Sequence, residues 1–413
     1  MKYFSSIFLL ILITIHHTVL GMRDYRNKFF NSKSSINRLL MGESFGYDDV
    51  ATKKEVLKTI AAERNITLPN DVYSWPKYFY ECAQPEPSVQ TLVGNQKCVL
   101  SFIQLANGNL ASSSSDNTIR IWQHHANRLY TEHKTFERHK WANSLIQLFD
   151  GNLASSYMDK TIGIWQPNSD DSYLEVHILK GHTDLVYSVI QLANGNLASA
   201  SVDSTIKIWQ RHADGSYTEL QTLEQHTSLV NSVIQLTDGN LASASSDNTI
   251  KIWQRHADGS YKERETLEGH EACVTSIIQL SDGDLASAST DSTIKIWQRH
   301  NDGSYKERAT LEGHEIRINS IIQLADGNLA SASSDGVIKI WQRHNDYSYT
   351  ELQTLKQHTC WVNSIIQLAD GNLASASIDS TIKIWQLYLP ASLDEHVVIE
   401  TICENIAQYQ SQH

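Results

Sequence analysis

Three things are scarce in this 413-residue chain, and each scarcity removes a class of protein. Cysteine is the first. Cys82, Cys98, Cys273, Cys360 and Cys403 form an odd set with no Cys-x-x-Cys spacing. A fold stapled by disulfides needs a denser, even set, so all five are expected to be free thiols. Positive charge is the second: 34 Lys and Arg face 46 Asp and Glu, a net charge of −12. A nucleic-acid binder needs a basic footprint, and that class is set aside. The third is any apolar run long enough to cross a bilayer, which takes about 20 residues. The most apolar stretch, Phe4 to Ile15, falls short of that.

That stretch has a different meaning. Lys2 precedes it and Val19-Leu20-Gly21 follows, which together describe a secretory signal peptide over residues 1–21. Gly21 is an acceptable last residue before cleavage, although no Ala-x-Ala is present; an uncleaved anchor is the alternative. The expectation is export, to a periplasm or outside the cell, with no membrane span left after cleavage. If the leader does not function, the protein stays in the cytoplasm.

Residues 22–87 differ from everything after them. Met22 to Arg38 is a basic arm carrying Arg23, Arg26, Lys28, Lys33 and Arg38. Lys53 to Arg64 has apolar residues at Val56, Leu57, Ile60 and Ala61, a helical period. Pro69 and Pro76 interrupt further helix, and Pro85 and Pro87 precede a change of pattern.

From Ser88 onward the chain repeats. Trp122, Trp165, Trp209, Trp253, Trp297, Trp341 and Trp385 are each followed by glutamine, at gaps of 43 residues once and 44 five times. A fixed period of that size with strand-type sequence inside it signals a closed ring of small sheets. The unit is clearest between Glu224 and Leu267. Val230–Leu236, Leu241–Ser245, Thr249–Gln254 and Tyr261–Leu267 read as strands, with Asp238-Gly239 and Asp258-Gly259 as tight turns. Four short antiparallel strands make one propeller blade. The segment Ser88-Val89-Gln90-Thr91-Leu92 matches Leu220-Gln221-Thr222-Leu223, whereas no fourth strand follows Trp385. The N-terminal strand is therefore expected to complete the last blade and remove an exposed edge. Residues 88–390 form the ring in this reading. Residues 391–413 form a tail with a helical pattern over Val397 to Ala407.

Stretches such as Gly181-His182 followed by Asp203-Ser204-Thr205-Ile206-Lys207-Ile208-Trp209 resemble the WD-repeat family of β-propellers. The fold class expected is all-β: a seven-bladed propeller of four-stranded antiparallel blades, with a short, mainly helical segment ahead of it. The resemblance also implies a buried relay joining histidine, serine, aspartate and tryptophan within a blade. By position these are His182, Ser201, Asp203 and Trp209 in blade 3, and His226, Ser245, Asp247 and Trp253 in blade 4. Blade 5 has His270, Ser289, Asp291 and Trp297, and blade 6 has His314, Ser333, Asp335 and Trp341. Blade 7 has His358, Ser377, Asp379 and Trp385. Blade 1 departs with Asn95 in the histidine position, beside Ser114, Asp116 and Trp122. Blade 2 keeps His139, Asp159 and Trp165 but has Tyr157 for the serine. A Ser-His-Asp trio suggests a hydrolase, yet a catalytic site is built once and this trio recurs. Its role is to satisfy buried polar groups. No catalytic residue, metal or cofactor is assigned.

The resemblance implies protein or peptide binding on the face built from the loops before each first strand and between second and third strands. One residue per blade sits immediately ahead of the first strand: Cys98, Trp141, Leu185, Leu229, Cys273, Arg317 and Trp361. Its companion just before the relay aspartate is Ser115, Met158, Val202, Ser246, Thr290, Ser334 or Ile378. The apolar members, Trp361, Ile378, Cys98, Trp141, Met158, Leu185 and Val202, gather on blades 7, 1, 2 and 3, a contiguous arc expected to hold a partner. On the opposite face Arg211-His212, Arg255-His256, Arg299-His300 and Arg343-His344 recur, too far apart to share a zinc ion at about 2 Å; they are expected to form a solvated, weakly basic rim.

The function expected is that of a monomeric, non-enzymatic interaction scaffold. Two alternatives belong to other classes. Residues 47–81 read as a divergent F-box-like module around Leu68-Pro69-Asn70-Asp71-Val72 would make a substrate adaptor, against which Pro76 interrupts a needed helix. A propeller hydrolase would need a unique acid, base or metal cluster, which seven equivalent blades do not supply.

Overall fold

A computed structural model describes residues 89–386, apart from 138, 139 and 171. The leader, basic arm, helical segment and C-terminal tail expected from the sequence all lie outside those residues. Twenty-eight strands, β1 to β28 in chain order, form seven four-stranded antiparallel sheets, and there is no helix among the described residues. The seven-bladed propeller is thus established.

Blade 3 shows why the sequence folds this way. Its strands are β10 (Val186–Gln191), β11 (Leu197–Ser201), β12 (Ile206–Arg211) and β13 (Tyr217–Leu223). The turn before β11 is Ala-Asn-Gly-Asn, with Gly195 at φ +87°, a left-handed conformation that glycine adopts without a Cβ penalty. Within β11 the sequence Leu-Ala-Ser-Ala-Ser is wholly buried, because neighbouring blades cover both faces. Small residues there let the blades approach. Ala198, Ala200, Ile206 and Ile208 pack against Val230, Val233, Leu241 and Trp253 of blade 4. The core is therefore a set of layers between blades, and strand alternation assigns each residue to one layer or the next.

Closure runs as the sequence anticipates. β1 (Val89–Val93) pairs antiparallel with β28 (Thr381–Trp385), in a register that sets Val89 opposite Trp385 and Val93 opposite Thr381. Leu92, Ile382 and Ile384 of this composite blade 7 pack against Val99, Phe102 and Trp122 of blade 1. The first strand of each blade ends in glutamine, and its Oε1 accepts a backbone N–H from the preceding blade. Gln147 accepts from Ala106 at 2.8 Å, Gln191 from Phe149 at 2.7 Å and Gln235 from Ala193 at 2.7 Å. Gln279, Gln323 and Gln367 repeat the contact, and Gln104 completes the circle by accepting from Ala369 at 2.8 Å. Every blade boundary carries this staple.

Candidate functional site

The relay is present in blades 3 to 7, but with a different serine. His182 Nδ1 lies 2.8 Å from Asp203 Oδ2, and its Nε2 lies 2.7 Å from Ser199 Oγ. Trp209 Nε1 donates to the same Ser199 oxygen at 2.8 Å. The equivalent serines are Ser243, Ser287, Ser331 and Ser375, each 2.7 Å from its histidine. Ser201, Ser245, Ser289, Ser333 and Ser377, assigned to the relay from position, are not part of it. They bond to the loop before the first strand instead: Ser201 Oγ donates to Leu185 O at 2.8 Å and accepts from Asp203 N at 3.1 Å. Residues two apart in a strand share a face, so Ser199 and Ser201 both point toward the relay side. Pairing decides between them: Leu197 stands opposite Trp209 and Ser199 opposite Lys207, which leaves Ser199 within reach of the indole.

The network fixes its own proton positions. The indole donates to serine, serine donates to Nε2, and Nδ1–H donates to the carboxylate, so each donor finds an acceptor. Burial raises the Asp203 pKa, but hydrogen bonds from His182 and Thr205 outweigh it and hold the carboxyl well below the usual range. Asp247, under the same opposition of burial and bonds from Thr249 and His226, is held at about 2. Burial depresses the imidazoles of His226 and His270 below their ordinary value despite the aspartates beside them. Ser199 is fully buried, with an indole on one side and an imidazole on the other, so no substrate carbonyl reaches it.

Blades 1 and 2 solve the same problem differently. In blade 1 Trp122 donates to Ser112 at 2.9 Å, and Arg120 takes over the imidazole's hold on the aspartate, reaching Asp116 Oδ2 at 2.9 Å and Asn95 Oδ1 at 3.2 Å. In blade 2 the Tyr157 hydroxyl binds Ser155, and Trp165 donates to both oxygens at 3.0 Å. His139 lies outside the described residues.

The opposite rim also differs from expectation. Arg211 Nη2 reaches Asp150 of the preceding blade at 2.8 Å and Arg299 reaches Asp238 at 2.9 Å, while Arg343 pairs with Asp282. Three of the four arginines thus bridge blades through the turn aspartates, so the rim is largely neutralised.

On the relay-bearing face the paired positions are adjacent. Met158 N donates to Trp141 O at 3.1 Å, Val202 N to Leu185 O at 2.9 Å, and Ile378 N to Trp361 O at 2.9 Å. Trp141 and Trp361 are 41% and 47% exposed, while all seven repeat tryptophans are buried. Leu185, Val202, Met158, Ile378 and Cys98 are half-buried, and Cys98, Cys273 and Cys360 are free thiols. Sequence reasoning missed Leu100 and Tyr187. At that position five blades carry Asn or Thr bonded to the next blade's backbone, such as Asn143 to Val186 O at 3.0 Å and Asn363 to Val99 O at 2.9 Å. Blades 1 and 3 place Leu100 and Tyr187 there, and Tyr187 is 40% exposed. The missing polar residue was the available signal.

The WD domain, G-beta repeat family model matches residues 86–123, 174–210, 217–254, 261–298, 305–342 and 349–386. Ring topology and relay together define a WD-repeat propeller, and the chain belongs to that family. The unmatched stretch between 123 and 174 contains the first three strands of blade 2, where tyrosine has entered the relay. Among solved structures, the chain is similar to the WD40 β-propeller domain of Doa1, with 26% identity and a TM-score of 0.61, covering 73% of this chain and 97% of that one. A comparison with curated proteins found no match.

Proposed function

We propose that this propeller is a non-enzymatic, monomeric scaffold that holds a peptide or protein segment on the arc formed by blades 7, 1, 2 and 3. The observation that carries this reading is the exposure of Trp141 and Trp361, on the two blades flanking blade 1, in a ring that buries its repeat tryptophans. Met158 and Ile378 stand beside them, and Cys98 lies between. Tryptophan in a partly desolvated patch is the side chain most often found to dominate binding energy. Membership in a repeat family whose units present loops on one face supports a scaffold role, and the buried serines argue against hydrolysis through the Ser-His-Asp trio. Export through residues 1–21 belongs to the same reading, and the mass of the mature N-terminus tests it.

The experiment is affinity capture by the full chain and by its Trp141→Ala/Trp361→Ala variant, read by quantitative mass spectrometry alongside melting temperature. The variant is expected to melt near the parent and to lose the captured set. A captured set identical in both would remove the arc from consideration.

A further inference from the structure

Charge is partitioned around the relay-bearing face in step with the apolar residues. In the loops before the first strands and around the relay turns, blades 7, 1, 2 and 3 carry Lys356, Lys97, Lys140, Lys160 and Lys180, all exposed. Relay aspartates apart, Glu137 and Asp184 oppose them there, and Asp184 Oδ1 is occupied by the N–H of Leu185 at 2.8 Å. The matching loops of blades 4, 5 and 6 carry Glu224, Glu268, Glu271, Glu312 and Glu315, with Arg317 as the opposing cation. The chain as a whole is acidic at −12, so a lysine-rich half-face is a local departure from the composition. None of the five lysines has a carboxylate partner among the described residues; Lys160 reaches only the Thr183 carbonyl, at 2.6 Å.

We propose that the arc takes an acidic segment of a partner protein, one in which Asp or Glu alternate with aromatic or aliphatic side chains. This rests on the reading of the arc as the binding surface, and adds to it the chemistry of the partner. Apolar side chains of the segment lie against Trp361, Cys98 and Trp141. Its carboxylates meet Lys97 and Lys140, each the residue immediately before an arc position, and Lys160 and Lys356 at the ends. The glutamates of blades 4 to 6 repel the same segment and confine it to the arc, since like charges brought together reject a ligand as effectively as opposite charges steer it. A basic segment would be drawn to the other half, where paired apolar positions are lacking: blade 4 offers Leu229 beside Ser246, and blades 5 and 6 offer Cys273 with Thr290 and Arg317 with Ser334. Attraction between exposed groups falls off beyond about 8 to 10 Å at physiological salt, so the charge term acts at close range and weakens as salt is raised.

The test is selection of random dodecapeptides displayed on phage against the full chain. Fluorescence polarisation of the enriched peptides then follows, at low and high salt, with melting temperature as the folding control for every variant. Enriched peptides are expected to be net acidic with interspersed aromatic or aliphatic residues and to bind more weakly at high salt. They should lose about tenfold or more in affinity to Lys97→Glu/Lys140→Glu, whereas Glu271→Lys/Glu315→Lys, which removes a repulsion, should not weaken them. Neutral or basic peptides that still depend on Trp141 and Trp361 would leave the arc standing as a binding surface and overturn the acidic partner. Peptides indifferent to Trp141→Ala/Trp361→Ala, or no enrichment at all, would overturn both.

Discussion

Trp209 and Ser199 stand 2.8 Å apart, indole nitrogen to hydroxyl oxygen, with the histidine of the same blade 2.7 Å beyond. The serine is the junction of the relay: it accepts from one ring and donates to another, in a place closed to water. Removing it strands two buried polar groups at once, whereas removing Ser201 leaves an amide near the surface without its partner.

Ser199→Ala is therefore expected to destabilise the ring by about 2 kcal/mol, the cost of leaving buried partners unsatisfied. Ser201→Ala should cost about 1 kcal/mol, because the Leu185 carbonyl keeps its bond from Val202 N and only the half-buried Asp203 amide is left without its partner. Thermal melts of the full chain, followed by circular dichroism, rank the two. Equal losses, or a larger loss for Ser201→Ala, would contradict the assignment of the junction.

Much of the ring is legible in the sequence because each unit states its pattern several times. The Asp-Gly and Asn-Gly turns, the strand of Leu-Ala-Ser-Ala-Ser and the match between Ser88–Leu92 and Leu220–Leu223 fix blades and seam without tertiary information. The relay serine was not legible, because a period of two puts Ser199 and Ser201 on one face and only the pairing with Trp209 separates them. Arg120 escaped notice for another reason. Asn95 marks a lost histidine, but a basic residue at the lysine position of the third strand looks solvated until Asp116 is seen beside it. The glutamine staples were hidden by their uniformity: a polar residue ending every first strand reads as surface. The arc positions were legible as irregularities in a regular frame, and their pairing across strands follows from the fold. What binds there is not encoded in the framework.

Acid is expected to loosen the relay in two stages. His226 and His270 are depressed in the folded state, so the unfolded chain takes up protons more readily. Their contribution is complete above the ordinary histidine pKa of about 6.5 and is lost as pH falls below it. Asp247 is held at about 2 against about 3.9 when unfolded, so its contribution is present above about 4 and is lost as pH falls toward 2. Both groups act in one direction. The melting temperature should be level above neutrality, begin to decline as pH falls below about 6.5, and decline further below about 4. His226→Gln should melt lower throughout and show a shallower first decline. A melting temperature unchanged between neutrality and pH 5 would contradict this account.

The residue after each relay aspartate carries a further cost. Asn117, Lys160, Ser204, Asn248, Ser292 and Ser380 occupy the left-handed region at φ 68° to 73°, and blade 6 alone has glycine there, Gly336 at 77°. A side chain in that conformation costs of order 1 kcal/mol or more, partly offset by the greater freedom that glycine gives the unfolded chain. Ser204→Gly, Ser292→Gly and Ser380→Gly should each stabilise the ring by roughly 0.5 kcal/mol and, being in separate blades, should add. The reverse change in blade 6 is not symmetrical. A Cβ on Gly336 would lie 3.1 Å from the His358 carbonyl oxygen and 3.3 Å from that of Cys360, backbone atoms of the next blade's loop. Gly336→Ser should therefore cost more than the serines elsewhere gain by leaving, about 1 to 2 kcal/mol from strain and crowding together. It should also displace the loop that presents Trp361. Melting temperature reads the first effect, and Trp361 fluorescence, isolated by comparison with Trp361→Phe, reads the second. A Gly336→Ser ring as stable as the parent, with unchanged emission, would show that the blade 6 turn has room that the geometry denies.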